Sequence, residues 1–159
     1  MEVWDKDSFI NPDDLLGLVE VDIKPLLVAP GEFKINKNFK LLNTNPDFQK
    51  FKNFGEVYIQ ARFVPQGKTP DSNFPALSET LEEVILASTY EGEIRIRVVH
   101  VDNVPITDSG MEGSSSDPYV VVQFPDKKEK QSQVKKNSLK PIFDEIIVHP
   151  IKIIAFVSF

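Results

Sequence analysis

The chain has 159 residues, a net charge of −6, no cysteine, and hydrophobic residues at 41% with 12 phenylalanines. That balance excludes a disulfide framework, a thiolate metal site and a disordered acidic chain, and it lacks the basic footprint of nonspecific nucleic-acid binding. No run approaches the ~18 apolar residues of a membrane-spanning helix, so any membrane contact is expected to be peripheral.

Met1 to Trp4 reads as the end of a strand. The chain opens directly on it, without an apolar leader, and together with the missing cysteines this suits a cytoplasmic protein. A turn-rich loop follows, from Asp5 to Asp14. Leu16 to Ile23 reads as a second strand, ended by Pro25 and by Pro30-Gly31, which begin an irregular connection. Phe39 to Asn43 is a short strand closed by Asn45-Pro46. Gly55 to Phe63 is clearer, with Val57, Ile59, Ala61 and Phe63 on one face and Glu56, Tyr58, Gln60 and Arg62 on the other. Residues 65–91 read as a linker, rich at first in Pro, Gly, Ser and Thr. Thr80-Leu81-Glu82-Glu83 has the form of a capping box and predicts a short helix to Ala87, although Val84-Ile85-Leu86 fits an extended segment equally well.

Strands resume at Gly92 to Val101. Asp102 to Asp117 reads as a long loop, Pro118 to Phe124 as a strand, and Gln131 to Lys136 as its partner across a lysine-rich turn. Ser138 to Glu145 reads as a further connection before an apolar ending. Strands dominate, so the expected fold class is all-β, an antiparallel sandwich.

The loop after Trp4 carries the chemistry. Asp5 and Asp7 stand one residue apart, and Asp13-Asp14 precede Leu-Leu-Gly. Clustered carboxylates repel each other, and hard oxygen donors in a flexible loop suit calcium, which takes about 6–8 oxygens. A hairpin turn built from Asp, Asn and Pro accounts for the same residues without a metal.

Trp4-Asp5-Lys6-Asp7 through Asp14-Leu15-Leu16-Gly17 resembles the third calcium loop of C2 domains and the strand after it. The strand from Gly55 to Phe63 resembles that family's closing strand. Separately, Ile106-Thr107-Asp108 through Ser116-Asp117-Pro118-Tyr119-Val120 resembles the first calcium loop. Pro125-Asp126-Lys127-Lys128 and Leu139-Lys140-Pro141-Ile142-Phe143-Asp144-Glu145 resemble the family's segments downstream of that loop. The order departs from the family's, because the back half of a domain precedes a front half. The expected organisation is residues 1–64 as one C-terminal half, 65–91 as a linker and 92–159 as an N-terminal half. This describes a fragment across tandem C2 domains, or two halves closed into one permuted sandwich.

The resemblance implies calcium ligands at Asp5, Asp7, Asp14, Asp108 and Asp117, with Asp13 as an extra candidate. Phe9, Ile10 and Met111 fall at loop tips that would enter a lipid headgroup region, with packing beneath the loop as the alternative for all three and for Ile10 above all. Lys127, Lys128, Lys135 and Lys136 match a region that holds anionic headgroups in the family, although a charged strand edge that discourages aggregation explains them as well. The implied function is calcium-dependent binding of anionic phospholipid membranes within a multi-C2 trafficking or signalling protein. The alternatives are a calcium-independent C2 scaffold for protein partners and a regulatory module of a larger enzyme. No catalytic role is expected of the chain itself. It has no phosphate-binding glycine loop and no nucleophile elbow, and its two histidines, His100 and His149, lie among β-branched residues.

Overall fold

Alternating burial turns the apolar segments of this chain into strands. The computed structural model describes residues 1–7, 12–28, 35–43, 54–67, 90–110, 113–126 and 128–153. Their elements are β1 (Glu2–Asp5), β2 (Asp14–Leu18), α1 (Lys24–Val28), β3 (Ile35–Lys40), β4 (Glu56–Pro65) and β5 (Tyr90–Asp102). They continue with β6 (Asp108–Gly110), β7 (Gly113–Ser115), β8 (Pro118–Gln123), β9 (Glu129–Gln131) and β10 (Ile142–Ile153). In β4, Val57, Ile59, Ala61 and Phe63 are buried while Glu56, Tyr58, Gln60 and Arg62 are not, as the period of two requires.

The strands form two four-stranded sheets, ordered β2-β1-β8-β9 and β10-β5-β4-β3, and a small β6-β7 ribbon. The fold is an all-β antiparallel sandwich. By packing, the chain divides into two compact units. The first comprises Met1–Val21, Lys37–Ile59 and Arg97–Ile147, and the second Asp22–Asn36, Gln60–Ile96 and Val148–Phe159. The interior of the first is built from Val3, Leu16, Val57, Ile59, Val98, Val101, Val120 and Phe143. Leu26, Ile35, Phe63, Val64, Ile94 and Ile96 are among the buried residues of the second. Each such side chain contributes roughly 1.5–3 kcal/mol by leaving water.

In the first unit β1 pairs antiparallel with two strands. Glu2 faces Leu18 and Asp5 faces Asp14 on β2, while Trp4 faces Tyr119 and Asp5 faces Pro118 on β8. Two segments more than a hundred residues apart thus share one sheet. Gly55 turns the chain at the start of β4 with φ of 85°, and a Cβ there would lie 2.1 Å from the Asp102 carbonyl oxygen. Only glycine fits that left-handed, crowded position.

Several segments differ from the sequence reading. The strand expected to reach Ile23 ends at Leu18, and Pro25 falls in the first turn of α1 rather than in an irregular connection. Asp22 caps that turn by accepting the Lys24 N–H at 3.0 Å, and proline is tolerated there because the first helical N–H groups have no partner inside the helix. The strand expected at Phe39 to Asn43 lies earlier, at Ile35–Lys40, although Leu42 still bridges Leu18. The loop from Asp102 to Asp117 contains the β6-β7 ribbon, and β10 already begins at Ile142. The helix expected from Thr80 to Ala87 lies outside the described residues.

Candidate functional site at the end of the first sheet

Asp5 ends β1 on the same side of the sheet as Val3, and only 1% of it is exposed. One carboxylate oxygen accepts the Asp117 backbone N–H and the other accepts the Thr107 hydroxyl. Thr107 Oγ1 in turn lies 2.8 Å from Ser116 Oγ, which donates to the Pro105 carbonyl at 2.8 Å. The Lys6 N–H donates to the Asp117 carbonyl at 3.0 Å, extending the pairing of the two segments past Asp5. The first candidate loop is therefore tied to the third through a buried carboxylate as well as through the backbone.

Asp117, with 15% of its side chain exposed, accepts the Asn137 N–H at 2.7 Å and the Lys136 ammonium at 3.0 Å. Asn137 adopts φ of 51°, a left-handed conformation asparagine tolerates. Partial burial pushes the Asp117 carboxyl up, but those two donors and the Lys136 charge outweigh it and hold the group below the usual carboxylate range.

The structure separates the neighbours Asp13 and Asp14. Asp14 opens β2 directly opposite Asp5, and cross-strand partners share a face. Asp13 is engaged with the other face, where it accepts the Tyr119 hydroxyl at 2.7 Å, the Lys6 ammonium at 2.9 Å and the Asp7 N–H at 3.2 Å. Desolvation raises the Asp13 carboxyl, but Lys6, Tyr119 and the Asp7 amide lower it further. Burial also raises the Tyr119 phenol well above its ordinary value, reinforced by its bond to Asp13. Lys6 separates Asp5 from Asp7 in sequence, and Asp7 reaches the neighbourhood of Asp13 through its backbone.

Of the remaining candidates, Asp108 starts β6 opposite Ser115, and its side chain is outside the described part of the structure. Phe9, Ile10, Met111 and Lys127 lie outside the described residues. Lys128 is 3.4 Å from Asp126, Lys135 is 3.6 Å from Glu145, and Lys136 holds Asp117. The three described lysines of the anticipated headgroup site thus each have a carboxylate partner.

The donors gathered at this sheet end are hard carboxylate oxygens, the chemistry calcium prefers. Among the described residues no three acidic or histidine side chains stand close enough to hold one ion. Sequence reasoning missed Thr107 and Ser116, which join Asp5 to the first loop, and the cation role of Lys6 and Lys136. Lysines alternating with or following aspartates were visible in the sequence, but their geometry was not.

Among the described residues no helix is long and apolar enough to cross a membrane. The C2 domain family model matches residues 1–41 and 92–155. No curated protein and no solved structure matches the chain. The matched segments are the two that meet at β1 and β8, and they make up more than half of the sequence. The chain belongs to the C2 domain family.

Proposed function

We propose that this C2 chain is a non-catalytic module that docks on anionic phospholipid membranes in a calcium-dependent way, as part of a multi-C2 trafficking or signalling protein. The observation that supports this reading is that β1, β2 and β8 bring the positions of Asp5, Asp14 and Asp117 to one end of the first sheet, from segments more than a hundred residues apart. Asp7, Asp14, Asp108 and Asp117 would hold the ion, with Asp5 fixing the two loops that carry them. Calcium supplies a positive field there, to which lipid phosphates are attracted.

The chain's own residues set the conditions for that exchange. Lys136 is 74% exposed on its side chain and holds a carboxylate that is only 15% exposed, so the ammonium can swing into water while Asp117 stays in place. The Lys6–Asp13 pair similarly leaves Asp14 as the Asp-Asp member on the face of Asp5. Ammonium groups thus offset carboxylate charge until a stronger cation competes.

Calorimetric calcium titration, with and without phosphatidylserine vesicles, tests the reading. Saturable heat that is lost in Asp7→Asn, Asp14→Asn, with vesicle recovery only in calcium, supports it. A folded chain that gives neither heat nor recovery refutes it. The second reading, a calcium-independent scaffold for protein partners, is favoured by the same ion pairs if they persist. Lys136→Gln separates the two: it strengthens calcium binding if the ammonium competes for the site, and leaves calcium ignored if the module is a scaffold.

A further inference from the structure

The outer face of the first sheet carries a cleft of about 420 Å³, on the face opposite Asp5 and Asp14. Trp4, Tyr119 and Val121 line it, flanked by Glu2, Asp13 and Glu129. The register explains this grouping, because Trp4 faces Tyr119 across β1 and β8, and Glu2 faces Val121. The aromatic polar groups are already used. Trp4 Nε1 donates to Glu2 at 2.9 Å and the Tyr119 hydroxyl donates to Asp13 at 2.7 Å, so neither polar group is left for a ligand, and the half-buried Trp4 is the more accessible of the two rings, Tyr119 being 9% exposed. Asp13 is offset by Lys6 and Glu2 interacts with the Met1 ammonium, but no described lining residue supplies a positive charge to Glu2 or Glu129. The cleft is lined by no lysine or arginine among the described residues.

We propose that this cleft is a docking surface for an extended, basic peptide segment of a partner protein, with its cationic side chains over Trp4 and against Glu2 and Glu129. Aromatic faces attract lysine and arginine, arginine more often, and the attraction grows when the cation is partly desolvated. Carboxylates at both ends of such a cleft steer a basic segment and set its register. Glu2 on β1 and Glu129 on β9 are separated by β8, which puts their strands roughly 10 Å apart. An extended chain spans that distance in about three to four residues, so the fitting segment has two cations at that spacing. An anionic membrane meets repulsion here. The chain's overall charge of −6 adds to the attraction of a basic partner.

The test uses the fluorescence of Trp4, the single tryptophan of the chain, in a calcium chelator. The chelator keeps the outcome independent of the calcium reading. The probes are a short synthetic peptide with two arginines about four positions apart, its counterpart with citrulline at both sites, and phosphatidylcholine vesicles. The expected result is a saturable change in Trp4 emission with the arginine peptide, weakened about tenfold or more by Glu129→Lys and by raised salt. Glu129 is exposed on β9, so its replacement leaves the core intact, and Glu129→Gln should fall between the two. Unchanged emission, equal binding by Glu129→Lys, equal binding of the citrulline peptide, or a response to the vesicles alone would each overturn the proposal.

Discussion

Replacing Asp5 by alanine tests whether this residue joins the two chain segments or only awaits an ion. Its two oxygens accept from a backbone N–H on one segment's loop and a hydroxyl beside it, in a site that is 1% exposed. Hydrogen bonds to a charged group contribute roughly 1.5–3 kcal/mol each, and the Thr107 hydroxyl retains Ser116 as a partner after the change. Relief of the buried charge and of its repulsion with Asp14 offsets part of the loss. The expected destabilisation is about 2–4 kcal/mol, a fall in melting temperature of roughly 5–15 °C for a chain of this size. Thermal and urea denaturation in a calcium chelator measure it, with Thr107→Val as a companion variant that removes one donor. A residue serving only as a calcium ligand would lose nothing without calcium, and removing it would relieve repulsion. Asp5→Ala at or above the stability of the parent would refute the reasoning.

Acid should weaken the fold through Asp117 and Asp13. Both carboxyls are held below their unfolded value near 3.8, so their contribution is present above about pH 4 and drains away as pH falls through the folded values. Lys136→Gln should flatten that loss in urea midpoints measured from neutral to strongly acidic pH. Tyr119 has the opposite sign. Its raised phenol contributes stability below about pH 10 that is lost at higher pH, and ultraviolet titration should find one of the three tyrosines ionising last, a signal that Tyr119→Phe removes. Gly55→Ala should cost at least about 2–4 kcal/mol, since its new Cβ meets the Asp102 carbonyl at 2.1 Å in a left-handed conformation. Gly67→Ala is the control: its φ of 77° carries backbone strain alone, with open space around the added carbon, and should cost about 1 kcal/mol.

The strands were legible wherever alternation was strict. Val57, Ile59, Ala61 and Phe63 announced β4 in this way, whereas Pro118 to Gln123 announced β8 as a short continuous apolar run buried on both faces. Boundaries were less legible where polar residues settle them through tertiary pairing. β3 carries Asn36, Lys37 and Asn38, a poor strand pattern whose placement comes from the sheet beside it. In the candidate site, the acidic residues were plain in the sequence but their division between faces was not. Asp13 and Asp14 are adjacent and chemically alike, and only the register with β1 assigns Asp14 to Asp5 and leaves Asp13 to Tyr119. The lysine run is legible in the sequence as either a headgroup patch or a charged strand edge, whereas its pairing with Asp117, Asp126 and Glu145 depends on distances that composition does not contain.

The pairing of β1 with β8 also governs how this chain can reach its structure. Asp5 and Asp117 are 112 residues apart, so β1 cannot complete its ladder until β8 has left the ribosome. Until then the β1-β2 hairpin offers an unsatisfied strand edge, and a two-stranded hairpin is marginal by itself in water. Such distant contacts slow folding, because chain entropy is surrendered before the contact returns any stability. Refolding should therefore lag behind that of sheets closed by neighbouring hairpins, and the waiting edge of β1 is where early aggregation would begin.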